Sequence, residues 1–246
     1  MNEIIRTIQE LRTTRKSEFN SEKIDDMKID IIKQTMTQTS NASNRQSYSV
    51  IVLDRNNAKE LGLPGDKVFI FCIDFLRLRK CAEVIGCEFD SQYFMQYTTS
   101  LIDVSLMVQS AVISAQSLGI ETLITNEIYH NKLDNAFKQL NLPKEYVFPI
   151  IAVSMGYSDV EKEPKGRIDD KFVFFDNQYK NYTEEDIRAI VKETDDKQNK
   201  IGLIDKWDTM GFDHYYEWFY EKWSKAIGTK TESEHLEEML KRSKII

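Results

Sequence analysis

Residues 101–125 read LIDVSLMVQSAVISAQSLGIETLIT and decide the fold. They continue an apolar segment, rich in small residues, that runs from about residue 91 to residue 118 and predicts a central buried helix. Gly119 stands where a helix commonly stops, because glycine accepts the left-handed backbone of a helix end. The next residues, 121–125, are typical of a short buried strand. A long core helix that passes directly into a strand is therefore the expected centre of the fold.

Further apolar runs flank this centre on both sides. Bounded by turn residues, they predict buried strands at residues 48–53, 68–75, 147–154 and 172–175. A helix is expected at residues 4–11, and a second one follows Asn20 and Ser21. The apolar stripe of the second helix is Ile24, Met27, Ile31 and Ile32. Two more helices are expected, one over roughly residues 131–140 and one after the capping residue Thr183. With no Gly/Ser linker or internal repeat, the sequence predicts one α+β domain over residues 1–246, with a helical, aromatic-rich C-terminal extension from about residue 205.

Composition and charge narrow the function classes. The net charge is -7, which argues against binding to nucleic acid or to an anionic membrane, because both favour a basic face. The three cysteines show no CxxC spacing and are interpreted as reduced thiols. The first residues lack the apolar core of a signal peptide, and no run resembling a membrane span of about 20 apolar residues follows, so a soluble, cytoplasmic protein is expected.

Several catalytic motifs are absent from the sequence. None of the nine glycines forms a GxGxxG or a GxxxxGK[ST] motif, so neither a Rossmann dinucleotide site nor a P-loop is predicted. The three histidines form no HExxH motif, and no GxSxG is present. Zinc and hydrolytic chemistry are therefore disfavoured, and no metal site is expected.

Three polar segments, far apart in the chain, have the chemistry to hold an anionic planar ligand. They are Arg12-Thr13-Thr14-Arg15, residues 41–46 (NASNRQ) and Lys165-Gly166-Arg167. Guanidinium groups and hydroxyls bind phosphate through charge-assisted hydrogen bonds, while amides satisfy the polar edge of a ring system. Taken singly, the segments are also typical of a helix end, a turn and a charged loop. Their joint occurrence favours a binding site.

The order of these segments resembles the nitroreductase family, particularly its NADPH-dependent nitroreductase and flavin reductase subgroup. In that family an R-S-x-R motif ends the first helix, an S-x-N-x-Q-like stretch precedes the first strand, and a K-x-R loop follows a strand ending near G-[WY]. The matching residues here are Arg12, Thr13 and Arg15, then Ser43, Asn44 and Gln46, then Gly156-Tyr157 leading to Lys165 and Arg167. Residues 114–123 (SAQSLGIETL) also look like the family's AAxxLGLGT-type segment. The resemblance covers nearly the whole chain.

The resemblance implies a nitroreductase-like fold of the α+β class, with a central, mostly antiparallel sheet flanked by helices. It also implies an intertwined homodimer whose two FMN sites lie at the subunit interface, with the long helix at the dimer centre. The residues implied to bind FMN are Arg12, Thr13, Thr14, Arg15, Ser43, Asn44, Gln46, Lys165 and Arg167. Within this set, Lys165 corresponds to the contact with the N1/O2 edge of the flavin, and the arginines and Thr13 to the phosphate contacts.

The chain departs from the family pattern in three places. Thr13 replaces the usual serine and keeps its hydroxyl. Glu121 stands where the second glycine of the LGLGT-type segment is usual, and no Gly-Gly follows, so backbone contacts to the flavin are placed only loosely near residues 125–127. The chain is also shorter between residues 58 and 67, where a polar flavin-edge residue has no clear match.

The resemblance therefore implies an NAD(P)H-dependent FMN oxidoreductase that works by a ping-pong mechanism. NADPH or NADH would be the electron donor, and nitroaromatics, quinones or free flavins would be the acceptors. No side chain is assigned a catalytic role, because the flavin carries the chemistry. The alternatives are a non-catalytic FMN storage or sensor protein and a helical interaction protein that uses the aromatic tail from Trp207, although the spacing of that tail favours packing against a partner subunit.

Overall fold

The computed structural model describes residues 2–90, 93–130, 132–161, 163–226 and 228–246. The chain divides into two compact units. The first unit comprises Met1–Lys162 and Lys230–Ile246, and the second comprises Glu163–Thr229. The predicted single domain with an extension from about residue 205 stays a prediction.

The first unit is built on a four-stranded antiparallel sheet. Its strands are β1 (Tyr48–Asp54), β2 (Lys67–Asp74), β3 (Glu121–Thr125) and β4 (Val147–Gly156), in the order β1-β2-β4-β3. Ile51 pairs with Ile70 across β1 and β2, and Leu123 pairs with Ser154 across β3 and β4. These four strands were predicted from the sequence, and the α+β class with an antiparallel sheet is confirmed. Strand β3 lies at an edge of the sheet.

Seven helices belong to the described part of this unit. They are α1 (Glu3–Gln9), α2 (Asp26–Thr37), α3 (Arg55–Glu60), α4 (Leu76–Ile85), α5 (Phe94–Ser117), α6 (Leu133–Gln139) and, after the second unit, α10 (Lys230–Arg242). Helix α10 packs into the hydrophobic core of the first unit through its buried residues Met239 and Leu240. The helix predicted near residues 131–140 is confirmed as α6, although residue 131 itself lies outside the described residues.

Helix α5 forms the centre of the core, as predicted. Its small and apolar residues Val104, Val108, Ala111 and Ala115 are buried in the same cluster as the sheet residues. The helix ends before Gly119, whose φ of +72° turns the chain into β3. Residues 91 and 92, at the predicted start, lie outside the described residues.

By length and composition alone, α5 could cross a membrane, contrary to the sequence expectation that no segment approaches a span. Half of that apolar window is buried within the unit, and core helices of soluble proteins pass the same test of length and composition.

The helix predicted at residues 4–11 is confirmed as α1, with Ile4, Ile5 and Ile8 exposed, whereas the predicted start and stripe of the second helix were wrong. Helix α2 begins at Asp26, capped by Asp25, and buries Ile29, Ile32 and Met36, whereas the predicted stripe residues Met27 and Ile31 are exposed.

The late start of α2 has a clear physical cause. The backbone of residues 19–24 is bonded to distant parts of the fold: Asn20 N donates to Tyr157 O at 2.9 Å, and Ile24 N donates to Asp66 Oδ2 at 2.9 Å. These long-range bonds hold residues 19–24 against distant parts of the chain, and the helix starts only after them, at Asp26.

The second unit is mainly helical. It contains α7 (Glu184–Asp195), α8 (Tyr215–Trp218), a π-helical turn (Phe219–Trp223) and α9 (Ser224–Ala226). Thr183 caps α7 as predicted, in a capping box with Asp186. Three aromatic residues of the tail, Trp207, Tyr215 and Trp218, form a buried cluster within this unit, whereas Tyr220 and Trp223 are exposed.

The strand predicted at residues 172–175 is wrong. Residues Asp170–Phe172 form a 3-10 turn that starts at Asp169, whose side chain accepts from Lys171 N. Phe172 N and Val173 N then donate back to Asp169 O and Asp170 O. These local bonds satisfy the backbone without a neighbouring strand.

Candidate functional site

The first polar segment, residues 12–15, lies beside the edge strand β3. Thr14 N donates to Thr122 O at 2.9 Å, which fixes the segment to the strand. In an extended chain, side chains two residues apart share a face. Arg12 and Thr14 accordingly contact the same residue of β3, while Thr13 and Arg15 are exposed.

The residue that Arg12 and Thr14 share is Glu121. Arg12 donates to Glu121 Oε1 through Nη2 at 2.7 Å and through Nε at 3.2 Å. Thr14 Oγ1, fully buried, donates to Glu121 Oε2 at 2.7 Å. The hydrogen bond and charge of Glu121 raise the pKa of the Arg12 guanidinium above its ordinary value. Both carboxylate oxygens therefore hold the segment in place.

The second polar segment contains an unusual backbone. Ser43, Asn44 and Gln46 have φ of 53°, 50° and 52°, in the left-handed region that favours glycine. Their side chains are exposed. Hydrogen bonds hold the loop at its ends, because Ala42 N donates to Asp103 Oδ1 at 2.9 Å and Gln46 N donates to Asn41 Oδ1 at 3.0 Å. The loop thus displays three polar side chains from a conformation that its surroundings impose.

Arg45 turns inward from the same loop and ties it to α5. Its guanidinium donates to Gln96 Oε1, and its Nη2 also donates to Ser100 Oγ at 3.1 Å. Ser47 and Ser100 are joined by a 2.9 Å hydrogen bond between their buried hydroxyls. Within the described residues, the buried atoms Arg45 Nε and Asp103 Oδ2 have no hydrogen-bond partner. The inward side of this loop is therefore polar and strongly tied to α5.

The third polar segment belongs to the second unit. Gly166 N donates to Lys200 O at 3.1 Å, and a Cβ at Gly166 would stand 1.8 Å from Asn199 O, so a side chain is excluded there. Lys165 Nζ donates to Gly202 O at 2.8 Å. Arg167 is exposed and donates to the carbonyl oxygen of Gly166 at 2.8 Å. The loop folds tightly around Gly166, and the cationic residues Lys165 and Arg167 flank this glycine in the chain.

The segment after β3, where a backbone contact to the flavin was expected, turns sharply. Glu127 N donates to Thr125 Oγ1 at 3.1 Å and starts a 3-10 turn, Glu127–Tyr129. The Glu127 carboxylate pairs with Lys132 Nζ at 2.5 Å, and this hydrogen bond lowers the pKa of Glu127. The contact itself stays a prediction.

A metal centre finds no support in the described part of the chain, which contains no group of three or more His, Cys, Asp or Glu residues able to hold a metal ion. Each histidine there lies beside a carboxylate: His130 beside Glu232, His214 beside Asp195 and His235 beside Asp134. Cys72 is buried, and burial raises the pKa of its thiol to about 12, as expected of a core cysteine.

The structure thus brings Arg12 and Thr14 together on Glu121 and leaves Thr13, Arg15 and the three left-handed loop residues exposed. Sequence reasoning missed the parts that Glu121 and Arg45 play. The replacement of a usual glycine by Glu121 was the one available signal. Arg45 lies between two predicted site residues, and no signal in the sequence indicated its inward role.

Solved structures of known proteins share this fold. The fold is that of the nitroreductases: a solved NfrA1 nitroreductase from B. subtilis matches 98% of this chain and 98% of its own with a TM-score of 0.82 at 23% identity. A solved NADPH:FMN oxidoreductase from Vibrio harveyi, complexed with NAD+, matches 99% of this chain and 98% of its own with a TM-score of 0.77 at 22% identity.

Sequence relatives point the same way. A Cr(VI) reductase from Pseudomonas sp. (strain G-1) is 30% identical over 159 residues, which are 61% of this chain and 65% of that protein. The matched part thus spans a little under two thirds of that relative. An oxygen-insensitive NADPH nitroreductase from Salmonella typhimurium is 27% identical over 174 residues, or 65% of this chain and 69% of that protein. No family model matches. The fold and these relatives are consistent with the nitroreductase family.

Proposed function

We propose that this protein is an NAD(P)H-dependent FMN oxidoreductase that passes electrons to small electron-poor acceptors such as nitroaromatics, quinones or flavins. The observation that carries the proposal is the way in which the first unit presents two of the implied ligand sets. Thr13 and Arg15 are exposed beside the edge strand, and Ser43, Asn44 and Gln46 are exposed on a left-handed loop. Two similar proteins, an NADPH nitroreductase and an NADPH:FMN oxidoreductase, support the same function.

The residues fit FMN in their chemistry. Arg15 and Thr13 supply a cation and a hydroxyl of the kind that bind phosphate, and Arg167 would add a second cation. Ser43, Asn44 and Gln46 would bind ribityl hydroxyls and the polar ring edge. Lys165 would place its positive charge at the N1/O2 edge. Bound FMN would supply the electron-transfer chemistry, in a ping-pong sequence in which the oxidised nucleotide leaves before the acceptor binds.

The proposal extends to assembly and location. The protein would be a homodimer, so that the partner subunit covers the flavin surface that one chain leaves open, and it would work in the cytoplasm.

The first test is the absorbance spectrum of the purified protein after reconstitution with FMN and gel filtration. We expect a visible flavin spectrum at near one FMN per chain. Anaerobic mixing with NADPH or NADH in a stopped-flow instrument should then bleach that spectrum. A colourless protein would contradict the cofactor. A coloured protein that neither nucleotide bleaches would instead indicate FMN storage or sensing.

A further inference from the structure

Glu121 occupies a position that calls for an explanation. It is the first residue of β3, and its side chain is only 13% exposed although it carries a charge. A carboxylate beside a predicted phosphate site would repel the phosphate if it stood alone. Here it does not stand alone, because Arg12 and Thr14 both donate to it.

The three contacts form a clasp, which we define as Arg12, Thr14 and Glu121. Two donors of Arg12 converge on one carboxylate oxygen, and the Thr14 hydroxyl takes the other. The backbone bond from Thr14 N to Thr122 O lies beside them. The clasp therefore fixes the alternation of residues 12–15, with even-numbered side chains turned to β3 and odd-numbered side chains exposed.

We propose that Glu121 is a positioning residue for flavin phosphate binding, which acts through Arg12 and Thr14 so that Thr13 and Arg15 face the ligand. This inference rests on the proposed function. It divides the predicted phosphate set in two: Thr13 and Arg15 bind the phosphate, whereas Arg12 serves chiefly to neutralise and hold Glu121. It also explains why this chain carries Glu121 where the family pattern has glycine, since a glycine would leave the Thr14 hydroxyl and the Arg12 charge without their shared acceptor.

The variant Glu121→Gln tests the clasp with little change in shape, because it removes the charge and turns one acceptor into a donor. Asp66→Asn is the matched control. Asp66 also pairs with an arginine, Arg55, at 3.2 Å and accepts a backbone amide, but it lies outside the predicted cofactor-binding segments.

The first readout needs no cofactor. Hydrogen exchange of the apoprotein should show the Thr14 amide exchanging about tenfold faster in Glu121→Gln, because the segment opens locally more often. Asp66→Asn should leave the Thr14 amide unchanged. Equal exchange of that amide in the intact protein and in Glu121→Gln would overturn the clasp.

The second readout separates phosphate positioning from general destabilisation. Titration with FMN and with riboflavin, which lacks the phosphate, should show FMN binding about tenfold weaker in Glu121→Gln and riboflavin binding nearly unchanged, as for the loss of one hydrogen bond to a charged group. Arg12→Ala should weaken FMN binding by a similar factor. The double variant should bind FMN no more weakly than either single variant, because both substitutions break the same clasp.

Three results would overturn the inference while the proposed function stands. The first is tighter FMN binding in Glu121→Gln, which would mean that the carboxylate competes with the phosphate. The second is an equal loss of FMN and riboflavin binding in that variant. The third is additive effects of Arg12→Ala and Glu121→Gln. Failure of the intact protein to bind FMN at all would instead remove the proposed function, and the phosphate-positioning role with it.

Discussion

Three residues in the loop at 43–46 carry an energetic cost in their backbone conformation. A left-handed φ costs a residue other than glycine roughly 1–3 kcal/mol, and Ser43, Asn44 and Gln46 each have one. The hydrogen bonds of Arg45 to Gln96 and Ser100 offset part of that cost. A loop held in this way displays its polar side chains in one geometry, which suits ligand binding better than it suits stability.

Gln46→Gly should separate the two properties. Glycine adopts a φ of 52° without strain, so we expect the free energy of unfolding to rise by up to about 1 kcal/mol, measured in urea. FMN binding should weaken, because the amide is lost. Gln38→Gly is the control, since Gln38 is also exposed but has a φ of -89°, where glycine should only destabilise. A loss of stability in both variants would contradict the assigned strain.

Gly166→Ala should be costly in the second unit. The new Cβ would lie 1.8 Å from the backbone oxygen of Asn199, so the loop has to shift and the two cations beside Gly166 move with it. We expect weaker FMN retention, measured by dialysis, together with a lower melting temperature. Gly211→Ala is the control for destabilisation of the same unit: its Cβ would meet nothing within 4 Å, but its φ of +86° strains an alanine, so it should lower the melting temperature and leave FMN retention unchanged. Unchanged FMN retention in Gly166→Ala would argue against the loop as a ligand site.

Among the helices and strands, the sequence predicted those whose position is determined by a local pattern of residues. The four strands of the sheet are dense apolar runs bounded by turns, and α5 is long and rich in small residues, so their positions could be read directly. The start of α2 could not, because it depends on bonds from Asn20 and Ile24 to residues far along the chain. The partnership of Glu121 with Arg12 spans 109 positions and has no local signature.

The junction of α7 and α8 should make the second unit sensitive to pH. Asp195, the last residue of α7, accepts from His214 Nδ1 at 2.6 Å and from Tyr215 N at 2.8 Å. The hydrogen bond to Asp195 raises the pKa of His214. A raised pKa in the folded state means that the contribution is fully present below the ordinary histidine pKa of about 6.5 and is lost as pH rises through the folded value.

Tryptophan fluorescence can follow this unit alone, because Trp207, Trp218 and Trp223 are the three tryptophans of the chain. We expect His214→Asn to lower the melting temperature at pH 6 and to have a smaller effect as pH rises above 7. His235→Asn, in the first unit beside Asp134, is the matched control and should leave this transition unchanged. An effect of His214→Asn that grows with pH would show that the sign is wrong.

In the described structure, the central helix α5 leaves apolar side chains exposed. Ile102 and Leu106 of α5 are 59% and 43% exposed and lie one helical turn apart on the same face. The two residues form an apolar stripe, and exposed apolar surface of this kind is typical of an interaction site. The proposed dimer would bury it, and the proposed FMN site would then depend on assembly.

Sedimentation at micromolar concentration tests this dependence. We expect the intact protein to sediment at about twice its chain mass of 28.8 kDa, since obligate interfaces bury enough area to persist at that concentration. Leu106→Lys places a charge in the stripe, so it should shift the protein toward the monomer and release FMN in parallel, because a ligand that binds only the dimer stabilises only the dimer. Val84→Lys, at an apolar residue of α4 that is 86% exposed, should change neither property. A Leu106→Lys monomer that keeps its FMN would show that one chain completes the site by itself.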